Sequence, residues 1–96
     1  MGINIGYVDI FDDEGLPSPR EQALKVIEEA AELFGVVDTH GGLIDDAAMR
    51  RECSDVIQAV CNLLASYGYA WLDFEEDMLK CRDRNENRGR VYYDWP

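Results

Sequence analysis

Long apolar runs are missing from this 96-residue chain. Nowhere do about eighteen apolar residues follow one another, which excludes a helix of membrane-spanning type. Basic residues are scarce: nine Lys and Arg stand against twenty Asp and Glu, for a formal charge of −11. Such a surface repels nucleic acid backbones and anionic membranes and favours cations as small partners, so neither direct nucleic acid nor membrane binding is expected. Cysteine is sparse and unpaired, because Cys53, Cys61 and Cys81 form no C-x-x-C motif and each falls in a stretch that reads as helix. A disulfide-stapled fold is therefore excluded, and a reducing compartment is expected. The first residues lack a basic, then apolar, signal pattern, so a cytoplasmic location is the expectation.

What is present is an ordinary globular composition, 47% hydrophobic and 30% charged. A chain of this size is one small domain whose core is only marginally able to offset the entropy of ordering it, so completion by oligomerisation, as a homodimer or homotetramer, is expected. Residues 1 to 17 mix short apolar pieces with glycines and form an irregular or briefly extended lead-in with no assigned chemistry; 18 to 90 read as the helical core; 91 to 96 are an aromatic tail that would be costly to expose.

Ser18-Pro19-Arg20-Glu21 carries a Ser cap, Pro at the first helical position and Glu three residues after the cap, which starts a first helix. Leu24, Ile27, Ala31 and Phe34 then recur at helical spacing up to Gly35, giving a helix over about 19 to 36 that is expected to bury that stripe. Asp45 or Asp46 caps a second helix, about 46 to 67, whose Met49, Val56, Val60, Leu63 and Leu64 keep the period until Gly68. Asp73-Phe74-Glu75-Glu76 resembles a capping box for a third helix that runs to Asn87-Arg88-Gly89. The fold class expected is all-α, a small bundle of three main helices.

The acids on the first two helices carry the chemical signal. At about 100° of turn per residue, Glu28, Glu29 and Glu32 share a sector about 100° wide beside the apolar stripe, and like charges at this spacing oppose helix formation. On the second helix Glu52 and Asp55 are three apart and also border the apolar stripe. Packing stripe on stripe would bring four or five carboxylates together. Such a cluster, free of His and Cys, suits magnesium, which prefers hard oxygen ligands and typically bridges carboxylates to substrate phosphates. Any one such acidic pair is ordinarily a solvated face, so the weight lies on the combination.

Other residues are less specific. Lys80, Asn85 and Arg88 could donate to phosphate oxygens, or could simply complement the end of the third helix. Asn62 falls on the Asp55 flank and could address a water or sugar hydroxyl. Trp71, Trp95, Tyr67, Tyr69, Tyr92 and Tyr93 could stack on a base, although aromatics in small oligomers more often fill interfaces. His40 sits in a Gly-flanked loop with no identifiable partner, and the cysteines read as small core residues.

Taken together, Glu28-Glu29-Ala-Ala-Glu32-Leu33, Glu52-Cys-Ser-Asp55 and Asn85-Glu-Asn-Arg88-Gly89 resemble the all-α nucleoside triphosphate pyrophosphohydrolases of the MazG-like group, which include the dimeric dUTPases and the phosphoribosyl-ATP pyrophosphohydrolases. The pattern is E-E-x-x-E followed after a variable gap by E-x-x-D, and here nineteen residues, 33 to 51, fill the gap. The likeness spans about residues 20 to 90. It implies a helical dimer or tetramer, magnesium (or manganese in its place) held at Glu29, Glu32, Glu52 and Asp55, and Glu28 in an accessory role. It further implies cleavage of nucleoside triphosphates between the α and β phosphates to monophosphate and pyrophosphate, in the manner of an enzyme that cleans nucleotide pools, with Lys80, Asn85 and Arg88 touching phosphate. No residue before the first helix stands out as a base reader. A reading from a different class is an acidic helical interaction module that uses its charge to occupy a basic partner surface and needs no metal. A third is a family-like protein that binds nucleotide or metal without turnover.

Overall fold

A computed structural model describes residues 2–11, 18–38 and 45–90. It is all-α: α1 spans Pro19–Asp38, α2 spans Asp46–Ser66 and α3 spans Trp71–Asn87, with no strand among the described residues. None of the described helices is long and apolar enough to cross a membrane. The contacts divide the chain into two compact units, Val8–Gly68 holding α1 and α2, and Met1–Tyr7 with Tyr69–Pro96 holding α3.

Local chemistry sets the helix ends. Ser18 Oγ accepts from the Glu21 N–H at 3.3 Å and opens α1. Asp45, rather than Asp46, caps α2 by accepting from the Ala48 N–H at 3.1 Å. The α3 start differs from the expected box at Asp73. The helix begins two residues earlier, and Asp73 reaches back to accept from the Ala70 N–H at 2.9 Å. Ala70 has no side-chain acceptor, so the acid on the third helical residue does the capping alone. At the other end Gly89 adopts φ +82°, its N–H donates to Glu86 O, and the Arg90 N–H closes onto Asn85 O. That paired closure needs a left-handed residue, which only glycine adopts without strain.

Two expectations for α1 change. Gly35 does not end the helix, which continues through it to Asp38. The stripe expected to be buried is open instead: Leu24, Ile27 and Phe34 are 45 to 66% exposed, and Ala31 is exposed as well. The covered side of α1 follows Gln22, Val26, Glu29, Leu33 and Val36, spaced 4, 3, 4 and 3, about 160° around the helix from the open stripe. α1 and α2 pack on each other, yet Ala59 is the only buried hydrophobic residue among those described, and Gln22 and Asn62 are the buried polar ones. Among the described residues of the helix pair the buried side chains are thus two amides and one alanine, while Val26, Leu33, Val36, Val56, Val60 and Leu63 are half-buried.

Residues 2–11 are irregular, with Gly6 at φ +72° and its N–H donating to Asn4 Oδ1. Asp9 and Phe11 are bonded to α2: Gln58 Nε2 donates to Asp9 O at 2.8 Å and the Phe11 N–H donates to Asn62 Oδ1 at 3.4 Å. His40, Tyr92, Tyr93 and Trp95 lie outside the described residues.

Candidate metal centre

Glu29 comes from the covered side of α1, and Glu52 and Asp55 from successive turns of α2. One carboxylate oxygen from each lies within 4.8 Å of the other two. Glu29 and Glu52 are half-buried and Asp55 is exposed, so the three form the floor and rim of an open site. Two oxygens on opposite sides of a magnesium ion lie about 4.2 Å apart. Neighbouring oxygens lie about 3.0 Å apart, so side-chain rotation would have to draw the three closer together onto one ion, and the all-oxygen donor set suits a hard cation.

The partners of Glu52 sharpen the fit. Its Oε1 lies 4.0 Å from Arg51 Nε, while Oε2 is buried and accepts no hydrogen bond. A buried carboxylate oxygen without a partner is costly, and a cation relieves that cost directly. Glu29 is strained in the same sense. Its carboxyl is held above the ordinary carboxylate range, first by desolvation, then by the negative charge of Glu32 and Asp55, a hydrogen bond with Glu32, and the charge of Glu52. Like charges gathered this way disfavour the ionised form unless a positive ion joins them.

Glu32 is exposed one turn along α1, close enough to hydrogen bond Glu29 but outside the tight group of three. Glu28 points elsewhere: it pairs with Lys25 at 3.1 Å on the exposed surface, and that contact raises the Lys25 pKa and keeps the ammonium charged. The three phosphate candidates on α3 belong to the other unit. Lys80 pairs with Glu76 at 3.4 Å, Asn85 donates to Cys81 Sγ and accepts from Arg90, and Arg88 is the residue that closes the helix.

Beside the carboxylates runs an open groove of about 290 Å³, at the lower end of the size range of small-molecule sites. Glu29, Asp55 and Lys25 line it, together with Phe11, Gln22, Gln58, Ala59 and Asn62. Gln22 is only 3% exposed, and its Nε2 has no hydrogen-bond partner. Leaving a buried amide donor unmet costs about 1–3 kcal/mol. Sequence reasoning flagged Asn62 but missed Gln22, Gln58 and Phe11. The signal for Gln22 was available: it lies seven residues before Glu29, two full turns away on the same side of α1. Phe11 left no such signal, because its position depends on how the lead-in folds back.

Comparison of the chain with protein-family models, curated proteins and solved structures finds no match to any of them.

Proposed function

We propose that the chain is a magnesium-dependent nucleotide pyrophosphohydrolase of MazG-like character, converting a nucleoside triphosphate to its monophosphate and pyrophosphate. The observation that carries this reading is the approach of Glu29, Glu52 and Asp55 carboxylate oxygens from two helices, with one oxygen of Glu52 buried and without a partner. Glu29, Glu52 and Asp55, joined by Glu32, would hold magnesium or manganese. The ion would supply charge neutralisation on the phosphates and a lowered pKa for the attacking water.

The chain's own groups account for the remaining tasks. In the reaction a water oxygen forms a bond to Pα, the bond from Pα to the bridging oxygen breaks, and pyrophosphate departs with that oxygen. The water's proton passes to a carboxylate, for which the exposed Glu32 is better placed than Glu28, whose charge is engaged by Lys25. Lys25, charged and lining the groove next to the acids, is positioned to meet phosphate oxygens.

A second copy of the chain is part of the proposal. Leu24, Ile27 and Phe34 form an exposed apolar row on α1, and a monomer with so little buried hydrocarbon gains from covering it. The acidic interaction module is less well supported. Most described acids are exposed, as charge mimicry needs, but that reading gives no role to Glu52, whose side chain is 13% exposed and lies among other acids.

Pyrophosphate release from a panel of triphosphates with magnesium tests the reading. Glu32→Ala and Asp55→Ala should each abolish it while circular dichroism still reports a helical fold. Retained turnover in both variants rejects the assignment.

A further inference from the structure

The acidic cluster accounts for one part of the groove and leaves the amide-lined part without a task. The hydrogen bonds there are nearly all assigned. Gln58 Nε2 donates to Asp9 O and, at 3.0 Å, to Asn62 Oδ1; the same Asn62 oxygen accepts from the Phe11 N–H. Those bonds tie the lead-in to α2 and fix the wall on which Phe11 stands. Gln22 is the exception, since it faces the groove from α1, is almost wholly buried and donates to nothing.

We propose that Gln22 is a specificity residue: its Nε2 donates to a ring carbonyl of a nucleobase lying in the groove beside Phe11, with the phosphates directed toward Glu29 and Asp55. The inference rests on the pyrophosphohydrolase reading and names the substrate class within it. A ligand for this groove must carry an anionic end for the cation site and, next to it, a planar apolar body with polar edges for an aromatic ring and amides; a nucleotide has both. The sense of the unmet group then divides the bases. An N–H donor needs an acceptor, which uracil, thymine and guanine present as a ring carbonyl. Adenine has no carbonyl; its acceptors are the ring nitrogens N1, N3 and N7, set back in the ring, so a donor placed to meet an exocyclic oxygen reaches them less well. Rejection of a ligand that strands a buried polar group is the stronger form of discrimination.

Calorimetric titration of the full chain with UMP and with AMP in magnesium chloride tests this. The wild type should bind UMP about tenfold more tightly than AMP, the worth of about one buried hydrogen bond. Gln22→Leu should bring UMP down to the AMP level, leave AMP unchanged, and melt at a higher temperature without ligand because the unmet donor is gone. Gln22→Glu, with the same shape but no donor, should lose the preference as well. Equal affinities in the wild type, or a UMP preference that survives in Gln22→Leu, overturn the inference. Magnesium melting curves separate the two levels of the argument. A magnesium-induced rise in melting temperature with no base preference sinks the role of Gln22 alone. No magnesium response and no pyrophosphate release sink the hydrolase reading, and uridine against adenosine without metal then decides the groove by itself.

Discussion

α1 with α2, and α3 by itself, treat their charges in opposite ways. On α3 the acids meet bases one turn away: Glu76 pairs with Lys80 at 3.4 Å and Glu86 with Arg82 at 3.3 Å, all of them exposed. Such pairs are locally satisfied and contribute only a few tenths of a kcal/mol each. Between α1 and α2 the acids meet acids, one oxygen is buried without a partner, and a buried amide donor is left over. Satisfied surface charge asks nothing of a ligand, whereas a cluster of acids that is costly by itself is stabilised by a cation.

The sharpest way to break that contrast is to make the same acid-to-amide change in both places. Glu52→Gln should abolish magnesium-dependent pyrophosphate release, a loss of about a hundredfold or more. It should also stabilise the metal-free protein by ~1 kcal/mol, because the new amide can donate to the acids around it. Glu86→Gln on α3 should leave turnover unchanged and alter stability by no more than about 0.5 kcal/mol. Equal effects of the two changes in urea titrations and activity assays would remove the distinction.

Magnesium itself should act on one region only. At a free concentration about a hundredfold above its dissociation constant it should stabilise the folded protein by ~2.7 kcal/mol. That gain should vanish in Asp55→Asn and persist in Glu76→Gln. The pH dependence follows from Glu29. Its folded pKa is raised above the ordinary value, so the folded state holds a proton that the unfolded state releases. Stability of the metal-free protein should therefore fall as pH rises from the unfolded carboxylate pKa through the folded one. Saturating magnesium should oppose that fall, since it stabilises the ionised carboxylates. A metal-free melting temperature that climbs over the same interval would contradict the crowding of Glu29 by Glu32, Asp55 and Glu52.

The same contrast explains what was legible in the sequence. Caps and stops are local chemistry, so Ser18, Asp45, Gly68 and Gly89 could be read from their neighbours alone. The acid motifs were legible as spacing, and helical geometry was enough to place Glu52 and Asp55 on one flank. The orientation of α1 was not legible, because hydrophobic periodicity marks which side of a helix is apolar without saying which surface covers it. The row of Leu24, Ile27 and Phe34 stands open, and the side bearing Gln22 and Glu29 is the covered one. Nor could spacing reveal the groove's other lining residues, since Gln58 bonds to Asp9 O and the Phe11 N–H to Asn62 Oδ1, side-chain-to-backbone bonds between positions 49 and 51 residues apart.

Gly35 offers a smaller test of how α1 is built. It continues the helix at a position where an added Cβ would meet nothing within 4 Å. Glycine inside a helix is less favourable than alanine by roughly 0.5–1 kcal/mol. Gly35→Ala should therefore raise stability by about that amount, visible as a shift in the urea midpoint with an unchanged slope. Because Gly35 lies beyond the acid cluster, the magnesium response should be unaltered. If the helix ended at Gly35 in a left-handed turn instead, the added methyl would strain the backbone and the midpoint would fall, so the direction of the shift decides between continuation and termination.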